Sequence, residues 1–184
     1  MNYVACIAEG AAETAIIDIL VDHHLLIFER EQMLDEQVLR CRNASTFESR
    51  YLRKGFSGKI TVYRILDSRR ERFRLSKAYE HKVDVINVVT APEIEMLIIL
   101  NENRYDDFKK SGMKPSAYCT IVLKLHDVKS YEFVERYFSD PTVLISAMKK
   151  YTKVSRIPKG EWALLNLVTS RRSLRRKQCW LVWG

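Results

Sequence analysis

The sequence predicts an α/β fold: a mainly parallel, Rossmann-like sheet flanked by helices, with a helical C-terminal part. Three observations carry this expectation. Short apolar, β-branched runs recur at Tyr3–Ala8, Ile60–Leu66 and Asp84–Val89, as strands buried on both faces require. The first and third lead directly into segments with helical apolar spacing. After Asn101, strand-like runs give way to helical ones.

The elements follow in order. Tyr3–Ala8 runs into Glu9-Gly10, where Gly10 is expected to permit a tight turn. Residues 11–23 place Ala12, Ala15, Ile16, Ile19 and Leu20 on one helical face, with Glu13 in the first turn. Leu25–Phe28 reads as a brief strand, Glu29–Glu36 as a loop or short helix, and Val38–Arg42 as another short strand. Ser45, with Glu48 three residues on, predicts a capped helix through Lys54, its face of Arg50, Arg53 and Lys54 solvated. Lys59–Leu66 is a β-branched and aromatic strand closed by Asp67-Ser68. Ser68–Tyr79 is a basic helix or loop. Asp84–Val89 is the next strand, and Pro92 suits the first turn of an apolar helix containing Glu93 and Glu95. Helices are expected over Tyr105–Lys110, Ser116–Leu125, Ser130–Phe138, Thr142–Tyr151 and Glu161–Val168, with Pro141 and Pro158 at helix starts.

The 184 residues are 47% hydrophobic, enough for one well-buried core, so a single domain is expected. It divides into a sheet core over 1–100, a helical part over 101–170 and a basic tail over 171–184. No run reaches the ~18 uninterrupted apolar residues of a membrane span. The N-terminus lacks a basic region followed by an apolar run, so no secretory leader is expected, and the cytoplasm is the expected compartment. Cys6, Cys41, Cys119 and Cys179 are scattered and show no CxxC spacing, which argues against a zinc knuckle or redox motif. Cys6 reads as a core residue.

The net charge of +8 suits a nucleic-acid partner, because Lys and Arg neutralise phosphates and release counterions. Arg69, Arg70, Arg72 and Arg74 flank Asp67, and Lys149, Lys150 and Lys153 form a stripe beside Tyr151. Basic residues interleaved with an aromatic suit single-stranded nucleic acid, and an ordinary amphipathic surface equally well.

Three strand ends therefore deliver carboxylates toward one sheet edge: Glu9, Asp67 and, on the helix that follows the third strand, Glu95. In open α/β sheets that edge is where ligands bind. Such oxygen donors suit Mg²⁺, which polarises a phosphodiester oxygen and stabilises its developing charge. Glu9, Asp67 and Glu95 are the candidate catalytic and metal-holding residues; Glu13 and Glu93 are further candidate ligands. Each acid also has a plainer reading. Glu13 complements the helix dipole, and Asp67 forms a strand-end turn with its own backbone. No His has a partner at catalytic spacing, and there is no nucleophile elbow or Gly-rich phosphate loop.

The succession Ala8-Glu9-Gly10-x-x-Glu13, Ile65-Leu66-Asp67-Ser68-Arg69 and Ala91-Pro92-Glu93-Ile94-Glu95-x-Leu97 resembles the Toprim fold. More closely, it resembles the RloB-like and related small Toprim-like proteins of bacteria. Tyr151-Thr-Lys153 is similar to a tyrosine–lysine segment downstream in those proteins. The resemblance spans residues 3–155 as an ordered series with few identities. It implies a Mg²⁺- or Mn²⁺-dependent nuclease, Glu9 as general base or acid, a role in phage or mobile-element defence, and an ATPase partner. One departure matters: Arg69 stands where the family's DxD pattern has its second aspartate. A guanidinium there can itself bind phosphate. The alternative expectation is a non-catalytic Toprim-like module that binds nucleic acid or a partner. A third is another α/β domain whose acids only end strands and open helices.

Overall fold

A computed structural model describes residues 2–53, 58–67, 72–90, 94–155, 157 and 160–169. Among these, three strands form a parallel sheet in the order β1 (Asn2–Ala8), β2 (Lys59–Leu66), β3 (Val83–Val89). The register pairs Ala8 with Ile65 and Leu66 with Val89, so the three C-terminal ends share one edge of the sheet. The fold is thus α/β with a parallel sheet flanked by helices, as expected.

Two further segments close the sheet laterally. Val4 and Ile7 form parallel bridges to Met33 and Leu39, and Leu39 N–H donates to Cys6 at 2.8 Å. On the other side Val88 bridges Trp162, with Val89 N–H donating to the Trp162 carbonyl at 2.7 Å. Counting both segments, the spatial order in chain numbering is 2-1-3-4-5, a doubly wound arrangement. Glu161–Val168 is accordingly not a helix. Trp162 pairs as a strand would, and only Leu164–Leu167 forms a 3₁₀ turn. The apolar spacing there serves sheet pairing and core contact together.

Alternation along the strands feeds two apolar layers. Val4, Cys6, Tyr63, Ile65 and Val88 face the larger core. It is covered by α1 (Ala11–Asp22), α3 (Met96–Asn101), α5 (Pro115–Ile121), α6 (Tyr131–Tyr137) and α7 (Pro141–Val154). Ala5, Ile7, Ile60 and Val62 face a smaller core closed by Phe47, Leu52 and Leu75. Tyr63 packs between Phe28, stacked at 5.5 Å, and Trp162 at 5.8 Å. α4 (Tyr105–Ser111) adds a peripheral turn that carries no fully buried side chain.

Local differences from expectation have clear causes. Leu25–Phe28 is not a strand; it contributes one antiparallel bridge, Leu26 to Val168. Asn43, not Ser45, caps the next helix, its Oδ1 accepting from Thr46 N–H at 2.8 Å. That helix, α2, spans only Ala44–Phe47 and widens into a π-type turn over Glu48–Leu52. Glu48 is drawn away to accept from Ser76 N–H instead of completing a capping box. Pro141 opens α7 as expected, with Asp140 as its cap, and Ser130 caps α6 by accepting from Phe133 N–H. No helix of the described residues is long and apolar enough to cross a membrane.

Candidate functional site

The shared C-terminal edge of the sheet carries a pocket of about 230 Å³. Its walls include Glu9, Glu13, Asp67 and Glu95, with Arg42 and Lys129 between them. Glu9 directly follows β1 and Asp67 directly follows β2, the two strands on either side of the switch in winding direction. Glu95 occupies the residue before α3, and Glu13 lies in the first turn of α1. Parallel pairing in register explains why residues so far apart in sequence meet here.

The four acids are not equivalent. Glu95 is 1% exposed and Glu13 8%, whereas Asp67 is open to solvent and Glu9 is half-buried. Lys129, from the loop before α6, places Nζ 3.0 Å from Glu95 Oε1. Arg42 places Nε 3.5 Å from Glu9 Oε2. Burial pushes the Glu13 carboxyl above its ordinary range. A bond from its own backbone N–H opposes this, Asp67 and Glu95 add to it, and Lys129 lowers it.

Gly10 is needed for space and not for its backbone angles. The chain bends at Glu9-Gly10 as expected, but the φ of −94° and ψ of 156° at Gly10 are ordinary extended values that do not draw on glycine's freedom. A Cβ there would overlap the Glu13 carboxylate at Oε2.

The donor set is all oxygen, which matches a hard divalent cation such as Mg²⁺. Among the described residues, no three His, Cys, Asp or Glu side chains stand close enough together to grip one ion as they lie. Glu95 instead faces an ammonium. The residues therefore match such a cation in donor chemistry, while their side chains as they lie do not form a site for one.

Other expected site residues lie elsewhere. Lys150 donates from Nζ to the Leu100 carbonyl at 3.2 Å and to Asn103 Oδ1 at 2.8 Å, capping the end of α3. Lys149 lines a separate groove with His23 and Thr142, and Lys153 a shallow one with Tyr105. Glu93, Arg69, Arg70, Pro92, Pro158 and the tail over 170–184 lie outside the described residues.

Sequence reasoning missed Lys129 and Arg42. Lys129 sits in a loop whose local pattern carries no signal of a distant carboxylate. Arg42 was readable only as the end of a short strand. It also passed over Arg64, a buried cation in β2, although a charge in an otherwise apolar strand was a visible sign. Its guanidinium lies over Phe73 at 4.8 Å and donates to Asn87 Oδ1, its register partner on β3.

No family model, curated protein or solved structure matches the chain.

Proposed function

We propose that the chain is a Mg²⁺- or Mn²⁺-dependent Toprim-type nuclease that cleaves phosphodiester bonds in nucleic acid. The observation that carries this reading is the gathering of Glu9, Glu13, Asp67 and Glu95 on one pocket at the switch point of a parallel sheet. Glu9, Asp67 and Glu95 would hold the cation, with Glu13 and Glu93 as further ligands. Such a cation would supply polarisation of a phosphodiester oxygen and stabilisation of the charge developing there.

The chain's own groups do the rest. Glu9, half-buried and beside Arg42, is the residue to take or return a proton at its carboxylate. Arg42 and Lys129 bring positive charge to a pocket that must otherwise admit a phosphate among four acids. Lys149 and Lys153 are proposed phosphate contacts outside the pocket, and Arg69 and Arg70 are further proposed phosphate contacts. A role in phage or mobile-element defence, and an ATPase partner, follow from the resemblance alone.

A second reading is a non-catalytic Toprim-like module that binds nucleic acid or a partner protein. The ion pair between Lys129 and Glu95 favours it, since an ammonium already answers the most buried carboxylate. Calorimetric titration with Mn²⁺ separates the two. The nuclease reading requires saturable binding that Asp67→Asn weakens at least tenfold, together with Mn²⁺-dependent cleavage of labelled oligonucleotides. Oligonucleotide binding without metal binding or cleavage selects the module.

A further inference from the structure

The segment that closes the β1 edge carries a second feature. Residues 40–42 continue it past the end of β1 in alternation: Arg40 exposed, Cys41 buried, Arg42 exposed. Period-two geometry sets both arginines on the outer face, ~7 Å apart along the backbone. Beside them lies a trough of about 390 Å³ whose lining includes Thr14, Asp18, Arg40, Arg50 and Tyr51. It shares Gln37, Arg50 and Tyr51 with a neighbouring depression of about 370 Å³. Thr14, in the trough wall, donates from Oγ1 to the carbonyl of Gly10, which lines the acid pocket. Trough and pocket are therefore neighbours, with Arg42 at the boundary.

The charges in the trough are available. Arg40 and Arg50 are exposed, and neither forms an ion pair with another described residue. The acids nearby are committed. Asp18 accepts from Arg30 at 3.0 Å and from the Tyr131 hydroxyl, and Asp35 bonds the Tyr51 hydroxyl. Tyr51 packs against Phe47 at 5.3 Å, which steadies its ring while it lines both depressions.

We propose that this trough is the track for a single-stranded nucleic acid. Arg42, Arg40 and Arg50 hold successive backbone phosphates, Tyr51 stacks one base, and the strand is led to the acid pocket. This rests on the nucleic-acid reading above and specifies the substrate's form. A single strand fits because the deepest carboxylates, Glu95 and Glu13, are nearly inaccessible and a duplex is too broad to lower one phosphate to them. A steadied ring beside exposed guanidinium groups is also the arrangement that binds unstacked bases with little sequence preference.

The test is fluorescence anisotropy with labelled oligothymidylate, oligouridylate and a duplex hairpin, over a salt series. The full chain is compared with Arg40→Gln/Arg50→Gln, Tyr51→Ala, Tyr51→Phe and a charge control at the distant Lys109 and Lys110, both changed to Gln. Circular dichroism checks folding. The expected result is single-strand binding weakened about tenfold by the double arginine change, with a salt slope shallower by about 1.4, two contacts at ~0.7 each. Tyr51→Ala should weaken binding about tenfold, and Tyr51→Phe should restore it. The oligothymidylate and oligouridylate arms show which sugar is preferred. Identical curves for wild type and the arginine variant overturn the track and leave the nuclease reading standing. Equal, equally sensitive duplex binding overturns the single-strand assignment. Track binding without metal-dependent cleavage overturns the nuclease reading and keeps the track. Absence of any oligonucleotide binding by wild type at low salt overturns both.

Discussion

Lys129 Nζ lies 3.0 Å from Oε1 of Glu95, a carboxylate only 1% exposed at the start of α3. The two residues come from different loops, and the contact ties the cover of the larger core to the sheet edge. Removing Lys129 takes an ammonium from a buried charge, which costs about 1–3 kcal/mol. Lys129→Ala should lower the urea midpoint accordingly. Adding Glu95→Gln should recover most of the loss, because a neutral amide no longer needs the counter-charge. Equal midpoints for Lys129→Ala and wild type would show the pair to be screened by solvent.

Glu9→Gln and Asp67→Asn each remove a carboxylate from the proposed metal site without changing side-chain volume. Both should abolish Mn²⁺-dependent cleavage, and both should leave thermal unfolding within about 1 kcal/mol of wild type, as expected at positions not fully buried. Unchanged cleavage in the two variants would remove the pocket from the mechanism.

The Glu13 carboxyl gives stability a definite pH dependence. Burial raises its folded value above the ordinary 4.5, so the folded protein holds that proton more tightly than the unfolded chain does. Its contribution to stability is complete below about 4.5 and declines as pH rises through the raised value. Glu13→Gln cannot titrate. Urea midpoints across pH should therefore move in the variant's favour as pH rises above 4.5. A constant difference at every pH would contradict this.

Gly10→Ala tests the packing of the same side chain. The added methyl overlaps the Glu13 carboxylate and not the backbone, so Glu13 can swing aside at a modest cost, about 1 kcal/mol. Metal affinity and cleavage should fall by a larger factor than stability does, and Glu13→Ala, which removes the overlapped group, should remove most of the effect of Gly10→Ala. Additive losses in the double variant would show that the two residues act independently.

Lys149, Lys150 and Lys153 should separate by role. Lys150→Met removes the cap on the Leu100 carbonyl and should destabilise the protein by about 1 kcal/mol. Lys149→Glu/Lys153→Glu should leave unfolding nearly unchanged while weakening oligonucleotide binding and flattening its salt dependence. Unfolding midpoints and salt-series binding curves measure both.

Much of this architecture was legible in the chain. Tyr3–Ala8 and Ile60–Leu66 announced themselves because strands buried on both faces are largely apolar, and Asp84–Val89, exposed at Asp84 and Val85, by its β-branched residues. Glu9, Asp67 and Glu95 were readable because strand ends and helix starts are local features. What escaped was tertiary. The Glu161–Val168 run looked helical because apolar residues pointing to a core have similar spacing whether or not the chain pairs with β3. Lys129 and Arg42 reach the pocket only through the path of whole loops, which no window of sequence encodes. Arg50 read as a solvated helix face, and the π-type turn over Glu48–Leu52 is what turns it and Tyr51 into a trough.

The pairing of Trp162 with β3 has a bearing on how the molecule is made. During synthesis, Asn87 and Val89 emerge well before the residue that answers their outward carbonyl and amide. Until 162–169 has been produced, the site-bearing end of β3 remains an open sheet edge, able to pair with a neighbouring chain. The same late segment fastens the stretch after α1, with Thr169 N–H donating to the Leu25 carbonyl at 2.8 Å and Thr169 Oγ1 to that of Leu26 at 2.6 Å. The order of translation thus leaves the acid pocket's own scaffold unlatched from the emergence of β3 until 162–169 follows, and that interval carries an aggregation risk.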